Sequence, residues 1–73
     1  MTQDGLSAKL TPRQLELAKH VALGMTNAEI AEVMGTAEQT AKNQCLIVAR
    51  LLGVRNRVEI ARKMILAGFT VSA

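Results

Sequence analysis

Lys42, Asn43, Leu46 and Arg50 lie in the stretch from Thr36 to Leu52, spaced so that a helix would carry them on one side. The opposite side would hold Ala41, Cys45, Val48 and Leu52, at i, i+4, i+7 and i+11, as one apolar stripe. The stretch also marks its own ends. Thr36 is placed to cap the start, with Gln39 as the second half of a capping box, and Gly53 can close the end in the left-handed conformation. An ammonium, a carboxamide and a guanidinium form hydrogen bonds. They include no nucleophile beside a base and no pair of carboxylates, so no catalytic residue is expected. A helix with short polar and basic groups near its N-terminal end suits the major groove of double-stranded DNA, where Asn can bond adenine and Lys can bond guanine.

The rest of the chain has to position that helix. Seventy-three residues make one domain. Cys45 is the only cysteine and His20 the only histidine, so neither a disulfide nor a metal site is expected, and no cofactor or small-molecule ligand is implied. His20 could act as a pH switch, but without a visible partner an ordinary boundary histidine is the simpler reading. Hydrophobic residues make up 49% of the chain with one aromatic, Phe69, and the apolar content is carried by Leu, Ile, Val, Ala and Met, which favours an all-α fold. No apolar run is long enough to span a membrane and the first residues lack a signal-peptide pattern, so a cytoplasmic protein without membrane contact is expected.

The net charge of +3 is unevenly spread. Residues 1–37 hold Lys9, Arg13 and Lys19 against Asp4, Glu16, Glu29 and Glu32, a net −1. Residues 38–73 hold Lys42, Arg50, Arg55, Arg57, Arg62 and Lys63 against Glu38 and Glu59, a net +4. The asymmetry points to a polyanion, and the plainer alternative is a solvated basic face.

Taken in order, residues 1–9 read as a flexible arm whose Leu6, together with Leu10, could dock on the core. A first helix should be capped by Thr11, with Pro12 in its first turn and Gln14 completing the box. Leu15, Ala18, Val21 and Ala22 form its apolar face, Leu17 sits near the edge, and Gly24 stops it. A short second helix should start at Thr26 with Glu29 in a capping box and carry Ile30, Ala31, Val33 and Met34 inward. Glu29 and Glu32 share a face, but the box accounts for Glu29. Gly35 then turns into the long helix, giving a short capped helix, a glycine turn and a second helix: a helix-turn-helix pattern. A fourth helix should begin at Asn56, with Glu59 completing a cap-plus-Glu pattern; Val58, Ala61 and Ile65 should face the core, while Ile60, Met64 and Ala67 form a second apolar row. Two rows exceed what one small core needs, so the second is expected to pair with its own copy as a dimer interface; its alternative is covering the N-terminal arm. Residues 69–73 read as a short tail.

Leu10-Thr11-Pro12-Arg13, Gly24-Met25-Thr26-Asn27-Ala28-Glu29-Ile30-Ala31, Lys42-Asn43 and Leu52-Gly53-Val54-Arg55-Asn56-Arg57-Val58-Glu59 follow one another at set intervals. In this the chain resembles the LuxR/FixJ-type, or GerE-type, DNA-binding domain of bacterial transcription regulators, over roughly residues 10–68. The resemblance implies a four-helix domain in which helices two and three are the helix-turn-helix, helix three enters the major groove and helix four is the dimer surface. Most such regulators carry a receiver or ligand-binding domain ahead of this one; the chain has no room for either and resembles the stand-alone members.

The chain departs from the family pattern on helix three. Ala41 stands where valine is usual, Gln44 where histidine is usual, Gln39 where lysine or arginine is frequent, and Leu46, Ile47 and Leu51 where polar or basic residues are common. The implied roles are Lys42, Asn43 and Leu46 at base edges, Leu46 against a thymine methyl group, with Gln39, Thr40, Arg50, Arg55 and Arg57 at phosphates. Two other readings stay open. Leu46, Ile47 and Leu51 could form an apolar patch through which the domain binds and blocks or modifies another regulator, or the helix could be shifted so that some of them are buried.

Overall fold

Thr11, Thr26 and Asn56 each begin a helix by lending a side-chain oxygen to a backbone N–H three residues on. In the computed structural model, which describes residues 9–68, the elements are α1 (Pro12–Ala22), α2 (Asn27–Met34), α3 (Glu38–Leu52) and α4 (Arg57–Leu66), with no strand among the described residues. Two of the three expected capping boxes form, and both are reciprocal. Thr11 Oγ1 accepts from the Gln14 N–H at 3.1 Å while Gln14 Oε1 accepts from the Thr11 N–H at 2.9 Å. Thr26 and Glu29 repeat the pattern at 3.1 and 2.8 Å. Glu59 instead reaches one residue past its cap, accepting from the Arg55 N–H at 2.7 Å. Most of the expected arm and all of the tail lie outside the described residues, Leu6 and Phe69 among them.

The start of α3 differs from the sequence expectation. Its N-cap is Ala37, which makes no side-chain cap, and Thr36 has another role. Gly35, at φ 71°, closes α2 in the left-handed conformation, and the next N–H, that of Thr36, donates to the Ala31 carbonyl at 2.9 Å. The Thr36 N–H is thus spent in ending α2, and the Thr36 hydroxyl donates to the Ala37 carbonyl at 3.1 Å instead of accepting from the first turn of α3. The Glu38, Gln39 and Thr40 N–H groups are left without intrahelical partners.

Packing is pairwise: α2 lies against α3, and α1 against α4. The core gathers Leu10, Leu17, Ala18 and Val21 with Ile30, Ala31, Met34, Val48, Leu52, Ile60 and Met64. On α3 the expected stripe of Ala41, Cys45, Val48 and Leu52 is buried, joined by Ala49. Among the described residues no helix is long and apolar enough to cross a membrane.

Four details correct the sequence reading. Leu17 is buried at the centre of the α1 face and Leu15 is peripheral. Val33 is 58% exposed, because α2 meets α3 only along its Ile30–Ala31–Met34 side. His20 lies at the boundary, but both ring nitrogens are buried without a hydrogen-bond partner, more enclosed than an ordinary boundary histidine, with Glu16 approaching its Nε2 at 3.7 Å. On α4 the two apolar rows exchange roles: Ile60 and Met64 are 0% and 1% exposed and Ala67 packs beside them, while Val58 and Ile65 are outside. A helix in so small a domain can turn one row inward, and α1 covers the row of Ile60 and Met64. Val58 and Ile65 lie about 140–160° round the helix from Ile60. The surface expected for a dimer at Ile60, Met64 and Ala67 is therefore core.

Replacing Thr26 with alanine is expected to cost about 1 kcal/mol, since it leaves the Glu29 N–H unsatisfied and releases the Glu29 carboxylate. In a thermal melt that is a fall of roughly 4–8 °C. An unchanged melt would mean that the box does not hold the start of α2.

Candidate nucleic-acid interface

The face of α3 turned away from α2 carries Gln39, Lys42, Asn43, Leu46, Ile47 and Arg50, all exposed. Leu46 sits at the middle of this face, one turn beyond Lys42 and one turn before Arg50. Leu46, Ile47 and Leu51 are 57%, 39% and 43% exposed, which removes the reading that a shift of the helix buries them. At about 100° per residue, Leu51 lies roughly 140° round from Leu46, near the edge that also carries Thr40. Gln39 Nε2 donates to Asn43 Oδ1 at 3.1 Å, one turn apart along the exposed ridge.

Two hollows flank the face. One runs between α3 and the α3–α4 connection, with Lys42, Leu46, Arg55 and Asn56 at its rim. The other runs between the starts of α1 and α3, with Arg13, Thr36, Thr40 and Gln44 at its rim and Leu17, Met34 and Ala41 beneath. Arg13 is held there by donating from Nη2 to the Met34 carbonyl at 2.6 Å, so it also closes the C-terminal end of α2. Among the described residues no Lys or Arg side chain lies within ion-pair distance of a carboxylate, so the side chains of Lys42, Arg50 and Arg55 stand without a carboxylate partner.

Arg57, expected at a phosphate, is turned inward. Its Nη1 donates to Asn27 Oδ1 at 2.7 Å and its Nη2 to the Met25 carbonyl at 2.5 Å. The Cys45 thiol approaches the same Asn27 oxygen at 3.7 Å. Burial pushes the Cys45 thiol up from its ordinary pKa, an effect partly offset by the nearby Arg57 charge, so the group stays a protonated donor. Asn27 thereby ties the start of α2 to the middle of α3 and the start of α4. Its place beside the Thr26 cap masked that role in the sequence, because an Asn after a capping Thr reads as an ordinary first-turn residue. Arg13 was also missed, and the signal was an arginine next to the proline of a helix start.

A short helix, a left-handed glycine turn and a longer helix with an exposed polar and basic face make this a helix-turn-helix domain. Residues 8–64 match the family of bacterial regulatory proteins described as the luxR family, with its GerE domain, and the chain belongs to that family. Among similar proteins, the two-component response regulator PprB of Pseudomonas aeruginosa is 41% identical over 56 residues, covering 77% of this chain and 20% of its own length. The HTH-type transcriptional activator RamA of Corynebacterium glutamicum is 43% identical over 53 residues, covering 73% of this chain and 19% of its own length. The nitrate/nitrite response regulator protein NarP of Escherichia coli is 41% identical over 49 residues, covering 67% of this chain and 23% of its own length. The chain thus spans about a fifth of the length of these relatives. No solved structure matches it.

Proposed function

We propose that the domain binds double-stranded DNA in a sequence-specific way as a transcriptional regulator, with α3 in the major groove. The observation that carries this reading is the exposed face of α3, with unpaired Lys42 and Arg50 one turn to either side of Leu46 and Arg55 along one flank. A major groove about 12 Å wide admits one helix between two phosphate strands. Seated there, Lys42, Asn43 and Leu46 face base edges. Arg50 and Arg55 meet phosphates, joined by Thr40 and the free N–H groups at the start of α3. The relatives' descriptions as response regulators and a transcriptional activator support the same reading.

So few cations per domain suit binding by two copies to an inverted repeat with half-sites about one DNA turn apart. The exposed apolar side of α4, Val58 and Ile65, is the surface on which we place that pairing.

The test is fluorescence anisotropy with duplex DNA over a series of salt concentrations. Affinity should fall steeply as salt rises, because phosphate neutralisation releases counterions. Arg50→Ala should weaken binding to every sequence and flatten the salt slope by about one unit, whereas Lys42→Ala should relax sequence choice. A folded protein that fails to bind any duplex at low salt would end this reading. Equal losses for Lys42→Ala on selected and random duplexes would remove Lys42 from the readers.

The exposure of Leu46, Ile47 and Leu51 favours a second reading, in which the same fold binds another regulator and blocks or modifies it. Substituting all three with lysine separates the two. DNA binding should persist or strengthen if α3 works on DNA, and partner binding should vanish if α3 is a protein-docking surface.

A further inference from the structure

Lys42 and Arg55 stand on one flank of α3, at the rim of the hollow beside the α3–α4 connection. The other flank is built differently. Thr40 and Gln44 border the hollow between the starts of α1 and α3, about 120° and 160° round the helix from Leu46. Leu17, Met34 and Ala41 floor this hollow, and no Asp or Glu lines it. α3 puts no cation beside it, since Arg50 lies ten residues beyond Thr40, about 15 Å along the axis. The one cation at this rim comes from α1. Arg13 is exposed, and its Nη2 donates to the Met34 carbonyl at 2.6 Å. That bond holds the guanidinium over the hollow and uses one of its N–H groups, leaving the others of the fork to a ligand. No carboxylate lies within ion-pair distance of it among the described residues, so its charge is not neutralised there.

We propose that this hollow seats a phosphodiester group of DNA, held by Arg13, on the strand across the groove from the one that Arg55 meets. The inference rests on the reading of α3 as a DNA-binding helix. A helix with its side chains is about 10–12 Å across and the major groove is about 12 Å wide, so a seated helix has phosphates against both flanks. With Leu46 toward the base edges, the two hollows fall on opposite strands. Arg55 and Lys42 answer one strand. Arg13 answers the other, its planar fork matching two phosphate oxygens at once. The Thr40 hydroxyl and the Gln44 carboxamide supply neutral donors at the same place. Arg13 thus serves two ends with one side chain, closing α2 through Met34 and presenting charge to the backbone of DNA.

The experiment uses the duplex selected by the intact chain out of a random pool, with Arg13→Gln, Arg13→Lys and Arg55→Ala compared at a temperature where circular dichroism shows each folded. Arg13→Gln should flatten the salt slope by about one unit, so that raising salt from about 50 to 200 mM costs it three- to fourfold less affinity than the parent. Arg13→Lys should keep the parental slope, because the charge remains. Neutral methylphosphonates placed one at a time along both strands then locate the contact. One position should weaken the parent and Arg55→Ala by about threefold or more and leave Arg13→Gln unaffected. It should lie on the strand opposite the position to which Arg55→Ala is indifferent. A folded Arg13→Gln with the parental slope would make Arg13 a closure of α2 alone and overturn the inference while leaving DNA binding in place. An Arg13-dependent position on the same strand as that of Arg55 would overturn it as well. If the intact chain binds no duplex, both the inference and the DNA reading beneath it fall.

Discussion

Ile60→Ala is expected to remove a large part of the stability of the domain, about 2–5 kcal/mol, although Ile60 lies on a helix whose sequence pattern suggests an outward-facing row. Ile60 is 0% exposed and shares the core with Met64, Leu17 and Val21, so truncation leaves a cavity between α1 and α4. A chain of this length has roughly 4–10 kcal/mol in total, so the variant should populate the unfolded state measurably in mild urea. The control comes from the other side of the same helix. Val58 is 73% and Ile65 51% exposed, and Val58→Asp and Ile65→Asp should change folding stability by no more than about 0.5 kcal/mol. If two copies pair through that side, the same aspartates should shift sedimentation toward the monomer. An Ile60→Ala variant within 1 kcal/mol of the parent, or aspartate variants that unfold, would show that α4 is turned the other way.

The α4 reversal marks where sequence reasoning loses its hold. Thr11, Thr26 and Asn56 were legible as helix starts because a capping side chain and the backbone N–H that donates to it are three residues apart, and local geometry decides the outcome. The stripe of Ala41, Cys45, Val48 and Leu52 was legible because α3 is long enough for its period to be unambiguous. α4 has ten residues and apolar side chains on two sides, so its pattern fits two rotations about the helix axis. Choosing between them requires knowing where α1 lies, which is a tertiary fact. Val33 failed for the same reason on a shorter helix. Thr36 failed differently: two helix ends compete for one residue, and the backbone closure of α2 around Gly35 wins over a side-chain cap for α3. For the interface, the exposed positions Lys42, Asn43, Leu46 and Arg50 were readable from period alone. Arg57 was not, since a cation in a basic segment looks available until its acceptors, Asn27 and Met25, are brought beside it from 30 and 32 residues away.

Arg57→Ala should accordingly act on folding before it acts on any nucleic acid. The substitution deletes two charge-assisted hydrogen bonds, leaves the Met25 carbonyl without its donor, and leaves Asn27 Oδ1 with only the weak thiol donor of Cys45. About 2–3 kcal/mol is expected, which in a domain of this size is a fall of roughly 10–20 °C in the thermal midpoint. Arg57→Lys should restore less than half of it. One ammonium can reach Asn27 or Met25, but it lacks the planar fork that holds both at once. The contrast with Arg50 and Arg55 is the decisive part. Those two side chains are exposed without a carboxylate partner, so their alanine variants should melt like the parent and lose about one unit of salt slope in DNA binding. Folded Arg57→Ala, at a temperature well below its midpoint, should keep the parental slope. A slope reduced by one with an unchanged midpoint would return Arg57 to the phosphate contacts. It would also mean that the start of α2 is held to α3 and α4 by packing alone.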